Sequence, residues 1–461
     1  MNMITRDRQF YRQIIRLTGF IATQNVVACL VGLADNVMIG AYSQDALSGV
    51  ALANQVQFLL QMLATGLGDG MMVIASQYWG TRRLEPIRRV LAITLLFALS
   101  LAALFFGVAR WLPEATLSLL TGDAGAIAQG AVYMRVIALS YPFFSVTMVL
   151  LAAQRSIENV SVGIRASVSG LCVNIVLNWV LIFGKLGFPR MGAQGAAMAT
   201  LLARVTECGV VVYFTCRTDR RLALTPQYWK KLDRALLSDY RRYGTPVLLA
   251  CFSWGVAMLL QTAILGRLGS DAIAANAIAN SLFQLITVVT YGSASASSVL
   301  VGKVVGSGDT RKLREYVQTL QWLYLAVGVI SGATLFLLRG AILSLYAVSP
   351  EALGMADAFM IVLSVTVVGT AYQNPSLTGI VRGGGNTKFV FYNDLVFMWG
   401  LVLPAGALAA FAFHWNPVLV FCCLKMDQVL KCFVALWQVN SYRWVKKVTR
   451  EEAPAGPEPT P

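Results

Sequence analysis

The chain falls into long apolar blocks separated by short polar joints, and this alternation limits its fold more than any other feature. About 20 consecutive apolar residues carry a helix across the roughly 30 Å hydrocarbon core of a bilayer. Twelve such blocks are read, at 14–42, 46–74, 91–112, 130–153, 166–187, 192–215, 245–268, 272–302, 317–341, 355–381, 389–413 and 417–441. Backbone polar groups have no water partners in lipid, so the expectation is an all-α membrane protein. Of the 461 residues, 57% are hydrophobic and 13% charged, against roughly 25% charged in soluble domains. A soluble fold is excluded.

The formal charge of +15 would suit a nucleic-acid partner if it formed one surface, but its distribution argues against that. Twenty-eight of the 37 basic residues lie at the two ends and in every second joint, including Arg82, Arg83, Arg88 and Arg89, then Arg217 to Arg242, and Arg443 to Arg450. Basic residues hold loops on the cytoplasmic side, so both termini are expected there and the span count is even. The run after Arg16 is too long for a signal peptide and reads as a retained first span. The eight cysteines form no C-x-x-C pair, and neither a disulfide framework nor a zinc site is indicated.

The second half repeats the first. At a shift of 226, Gly40, Asp45, Ala46, Ala51, Ala53 and Asn54 fall on Gly266, Asp271, Ala272, Ala277, Ala279 and Asn280, and Gly66, Gly80 and Arg88 on Gly292, Gly306 and Arg314. With one residue of slippage, Arg155 and Asn159 meet Arg382 and Asn386. Halves six spans apart share one orientation and place a working cavity between them. The expected organisation is a cytoplasmic N-terminus (1–13), an N-lobe (14–215), a basic cytoplasmic linker with a short amphipathic helix (216–243), a C-lobe (244–441) and a cytoplasmic disordered tail (442–461).

Ionisable groups at membrane depth cost at least a few kcal/mol, about 2.5–3.5 on insertion scales, and call for a reason. Asp35 lies inside span 1. Asn174 and Asn178 share one face of span 5 at i and i+4, and Thr200 lies in span 6. Counting from the outer joints at about 1.5 Å per residue puts all four roughly 10–17 Å deep. One carboxylate, two amides and a hydroxyl at one level make an all-oxygen site for a proton on Asp35 or a hard monovalent cation such as Na+. The competing reading is interhelical hydrogen bonding around a protonated Asp35. A substrate wall is expected from Gln55, Trp254, Met258, Gln261 and Gln284, with Asp69 lining the cavity or a cytoplasmic vestibule. Arg204 with Glu207 and Asp427 with Lys431 read as structural pairs, and Asp394 as lying near the cytoplasmic surface.

Asp35 with Met38-Ile-Gly40, Asn174-x-x-x-Asn178, Gly192-Ala-Gln-Gly-Ala-Ala with Thr200, and Arg382-Gly-Gly-Gly-Asn-Thr-Lys388 together resemble the multidrug and toxic compound extrusion (MATE) family over about residues 10 to 445. The resemblance implies a V-shaped pair of six-helix bundles in the bacterial inner membrane. It also implies export of small organic compounds against an inward proton or sodium gradient, without a cofactor and as a monomer among membrane lipids. Coupling then carries over onto Asp35, and the cation shell onto Asn174, Asn178 and Thr200. Two departures stand out: span 1 lacks the proline many members carry, and Trp254 and Ala371 occupy positions where one branch has C-lobe acids, so no C-lobe cation site is expected. The alternative is a flippase for a lipid-linked saccharide, disfavoured by the few cations in the spans. One histidine and no nucleophile–base motif leave no basis for an enzyme.

Overall fold

The computed structural model describes residues 4–222, 228, 233–344 and 349–450. Eleven helices are long and apolar enough to cross a membrane. We number them α1 (Arg8–Gly40), α2 (Gln44–Gly80), α3 (Leu84–Trp111), α4 (Ala124–Ser156), α5 (Ser161–Phe183), α6 (Ala193–Thr218), α7 (Arg234–Gly266), α8 (Ser270–Ser307), α9 (Thr310–Leu343), α10 (Pro350–Val381) and α11 (Thr387–Ala412). The last apolar block is two helices in succession, Pro417–Lys425 and Asp427–Ser441, jointly α12, meeting at Met426. The break falls among Lys425, Asp427 and Lys431, the most polar stretch of that block. Among the described residues there is no strand.

The ends of the helices follow ordinary capping chemistry. Asp7 caps α1 by accepting from Gln9 N, Ser43 caps α2 through Ala46 N, Asp233 caps α7 and Asp309 caps α9; each side-chain oxygen occupies a backbone N–H that the helix leaves open. Despite lacking a proline, α1 runs as one continuous helix.

Two apolar cores form at each end of the molecule, and α1 and α7 change lobes between the ends. Phe10, Ile14, Leu17 and Ile21 of α1 pack with α8, α9 and α10 of the C-lobe, while Ile39 at the other end of α1 packs with α2 and α4 of the N-lobe. Conversely, Leu236 and Tyr240 of α7 join the N-lobe, and Ala257, Ile264 and Leu265 return to the C-lobe. The 14–215 and 244–441 division therefore follows the chain but not the packing.

The repeated glycines mark where the lobes touch. A Cβ on Gly66 would come within 2.8 Å of Leu248 Cα on α7, and one on its counterpart Gly292 within 3.0 Å of Thr18 O on α1. Gly80 and Gly306, the next repeated pair, abut Lys303 O and Gln77 O across the α2–α8 contact. Glycine here permits helix backbones to meet. All of these contacts lie in the half of the molecule that carries the termini. So do the side-chain hydrogen bonds and ion pairs joining the lobes among the described residues, such as Lys303–Glu158 at 2.6 Å and Arg382–Asp69 at 2.8 Å. The lobes form a V closed at the face bearing the termini.

Residues 442–450 correct the expectation of disorder from 442 onward. Trp444 is 0% exposed and donates to Val439 O, and its ring fills the space that Gly384 leaves open. Gln77 clasps the segment through Lys446 O and Val448 N, and Arg450 pairs with Asp239 at 2.7 Å. Residues 451–461, and residues 223–227 and 229–232 of the linker expected to form a short amphipathic helix, lie outside the described residues.

Candidate functional site

In the half of the N-lobe away from the termini, α1, α5 and α6 bring their polar residues together. Asn178 Nδ2 donates to Asp35 Oδ1 at 2.5 Å and also reaches Asn174 Oδ1 at 3.2 Å; Asn174 Nδ2 donates to Thr200 Oγ1 at 3.4 Å. The two asparagines are one turn apart on α5 and fully buried, and Thr200 is 5% exposed. Asp35 is half-buried, so the carboxylate forms the mouth of the pocket and the amides its floor.

One atom in this group has no partner. Asn178 Oδ1 is buried and makes no hydrogen bond among the described residues. A buried carbonyl oxygen without a donor costs roughly 1–3 kcal/mol, and such exceptions ask for an explanation. An acceptor left open beside a carboxylate suits an incoming proton or cation. If Asp35 gains a proton, the Asn178 amide can turn over and accept from it; if a monovalent cation enters, the same oxygen can ligate it.

Two further side chains face this pocket. Tyr133 of α4 is 3% exposed and lies near Thr200 and Asp35. Arg204 acts on Asp35 from a distance while pairing with Glu207 at 2.9 Å and lying 4.8 Å from the Phe144 ring. The sequence reading passed over Tyr133 because a tyrosine in an apolar span looks like packing. The only signal was its place on the helix beside α6.

The residues expected to line a substrate wall separate into three groups. Gln55 and Gln284 are exposed, and Trp254 and Met258 half-buried, on α2, α8 and α7, the helices that face the other lobe. Gln261 departs from the expectation: it is 4% exposed and donates to Met398 Sδ at 3.6 Å inside the C-lobe, so it is not part of the wall. Asp69 lies away from the open wall in this conformation. Its carboxylate is paired with Arg382 of the other lobe at 2.8 Å, within the closed half of the V.

The C-lobe holds a charged cluster of its own. Lys431 pairs with Asp427 at 3.2 Å, as its i,i+4 spacing indicates, and with Asp394 of α11 at 2.9 Å. Asp394 therefore belongs to an interior triad instead of standing at the surface. Lys425 is buried, with its ammonium 5.5 Å from the Phe421 ring.

The comparisons with known proteins agree with this architecture. The family model described as MatE matches residues 21–180 and 246–408, one stretch in each lobe and more than half of the chain. "Probable multidrug resistance protein NorM" of Thermotoga maritima is 25% identical over 451 residues, covering 95% of each chain. "Multidrug resistance protein PmpM" of Pseudomonas aeruginosa is 25% identical over 402 residues, covering 87% of this chain and 84% of that one. Among solved structures, the crystal structure of MATE in complex with MaL6 superposes with a TM-score of 0.85 at 21% identity, covering 95% of this chain and 98% of that one. The outward-facing conformation of a multidrug resistance MATE family transporter gives 0.83 at 21% identity with the same coverage. These structures share the fold. The chain belongs to the MATE family of multi-pass membrane transporters, which are not enzymes.

Proposed function

We propose that this protein is an antiporter that exports small organic compounds, cationic or amphipathic, in exchange for a proton or sodium ion moving inward through the Asp35 pocket. It would work in a bacterial inner membrane, as a monomer, with both termini in the cytoplasm. The face that closes the V is then cytoplasmic, and the conformation described is open to the outside. The names of the relatives, two of which are multidrug resistance proteins, support small organic substrates.

The observation that carries the reading is the open acceptor Asn178 Oδ1 beside the half-buried Asp35. Ionised Asp35 is tolerated because the pocket mouth is wet and Asn178 donates to it. A proton or sodium ion from outside neutralises the carboxylate and meets the unused oxygen, so α1, α5 and α6 can close over an uncharged pocket. That closure belongs to the state facing inward, where the cation leaves and a substrate enters. Cation and substrate are coupled because each binds the two facing states with different affinity. A lone acid serving only as glue would not need an open acceptor next to it.

Efflux of ethidium from cells expressing the protein tests the reading, with sodium present or absent and with an uncoupler. Loss of efflux on removing sodium assigns the sodium ion, and loss with uncoupler alone assigns the proton. Efflux indifferent to both would refute cation coupling.

A further inference from the structure

Asp69 and Arg382 are 313 residues apart and pair across the two lobes at 2.8 Å, with side chains 15% and 11% exposed. Around them the lobes are in close contact. Gly66 approaches Leu248 and Cys251 on one side, Glu158–Lys303 and Tyr240–Leu67 O close another, and Arg382 Nε is fixed by Thr378 O at 3.1 Å. A second guanidinium, Arg155, lies on the same lobe as Asp69 and acts on it electrostatically without a hydrogen bond among the described residues.

The fold's internal symmetry does not require this acid. Arg155 and Arg382 are repeat counterparts, but the position matching Asp69 at a shift of 226 is Ser295, whose hydroxyl rests near Met72 Sδ. Only one of two equivalent places carries a carboxylate, and it is the N-lobe one.

We propose that Asp69 serves two partners in turn: Arg382 while the cytoplasmic side is closed, and the ammonium group of an organic-cation substrate once it opens. The proposal rests on the antiport reading above. Opening the cytoplasmic side separates the lobes and takes Arg382 away from Asp69. A buried ion pair that loses one partner leaves an uncompensated charge, so the carboxylate then needs water or another cation. A cation entering from the cytoplasm meets that need at the entrance of the cleft. While it stays there, Arg382 cannot return, and closure waits until the cation has moved towards the outer half. Arg155 stands on the same lobe as Asp69 and does not bridge the two lobes.

Native Cys251 is a reporter, because it lies against Gly66 and beside Arg382. The experiment uses the full chain with the other seven cysteines replaced by serine, in everted vesicles, with an anionic membrane-impermeant thiol reagent. Ethidium uptake is measured in parallel. Arg382→Gln should label at Cys251 about 5-fold faster or more than the parent. Removing a guanidinium makes a nearby thiol less reactive and repels the anionic reagent, so faster labelling can come only from access. The charge swap Asp69→Arg with Arg382→Asp should return labelling towards the parental rate, which an unfolded protein would not do. The KM for ethidium should rise about 5-fold or more in Asp69→Asn and in the swap, but not in Arg382→Gln. Labelling of Arg382→Gln at the parental rate overturns the latch, and a parental KM in Asp69→Asn overturns the role in receiving substrate. A parent that takes up no ethidium under any gradient would instead sink the antiport reading, and labelling would still decide the latch.

Discussion

Adding one methyl group at Gly66 or Gly292 should push the lobes apart at the face that bears the termini. The alanine Cβ would lie 2.8 Å from Leu248 Cα and 3.2 Å from Cys251 Cβ in one case, and 3.0 Å from Thr18 O in the other. Carbon atoms in contact prefer about 3.5–4.0 Å, so Gly66→Ala demands a displacement of roughly half an ångström to one ångström between whole helices, and Gly292→Ala one of a few tenths of an ångström. Both sets of neighbours include backbone atoms, which cannot swing aside as a side-chain tip can. Overpacking of this kind costs about 1–3 kcal/mol, which moves a two-state equilibrium about 5- to 150-fold. Spin labels at Glu85 and Arg311, both exposed at the ends of α3 and α9 on the face bearing the termini, report the separation in pulsed electron resonance. Gly66→Ala and Gly292→Ala, repeat counterparts acting on α7 and α1, should each add or enlarge a longer-distance population, Gly66→Ala the larger one because its Cβ meets the closer backbone contact. Parental distance distributions in both variants would refute the idea that these glycines set the lobe contact.

Other outcomes follow from the same geometry. Asn178→Leu removes the donor to Asp35 and should lower ethidium efflux about 10-fold or more with normal insertion, since a hydrogen bond to a charged group is worth about 1.5–3 kcal/mol; efflux near wild type would count against the pocket. Trp444→Ala empties a fully buried site and should cost about 3–5 kcal/mol, read as a lower melting temperature in detergent and faster proteolysis at the C-terminus. The hydroxyl of Tyr316 donates to Asp7 at 2.6 Å and is the main reason that carboxyl is held below the ordinary carboxylate range. A depressed carboxyl stabilises above its unfolded pKa and loses that contribution as pH falls through its folded value. The melting-temperature gap between wild type and Tyr316→Phe should therefore be present at pH 7 and shrink below about pH 4; a gap independent of pH would contradict the assignment.

How much of this was legible before the structure depended on the reach of each interaction. The spans could be read because hydropathy is a local property, and the lobes because Gly66, Gly80 and Asp45 recur 226 residues later. The Asp35 pocket was legible for a similar reason: Asn174 and Asn178 announce their shared face by spacing, and depth can be counted from the nearest joint. Asp69–Arg382 was not, because each residue has ordinary neighbours in sequence and the pair exists only once two lobes are apposed. Gln261 was misplaced because helix periodicity does not say which face of α7 meets the cleft after the helix has changed lobes. That crossing was itself hidden, since α1 is apolar on the sides it offers to both lobes. Residues 442–450 look like a solvated basic tail by charge, and only Trp444 hinted at an anchor.

Proteoliposomes separate the coupled step from mere passage of substrate. With ethidium on both sides and no ion gradient, Asp35→Asn should still exchange labelled for unlabelled substrate. Given an imposed proton or sodium gradient that drives accumulation by wild type, the same variant should accumulate none. Accumulation by Asp35→Asn at the wild-type level would contradict the account at its centre.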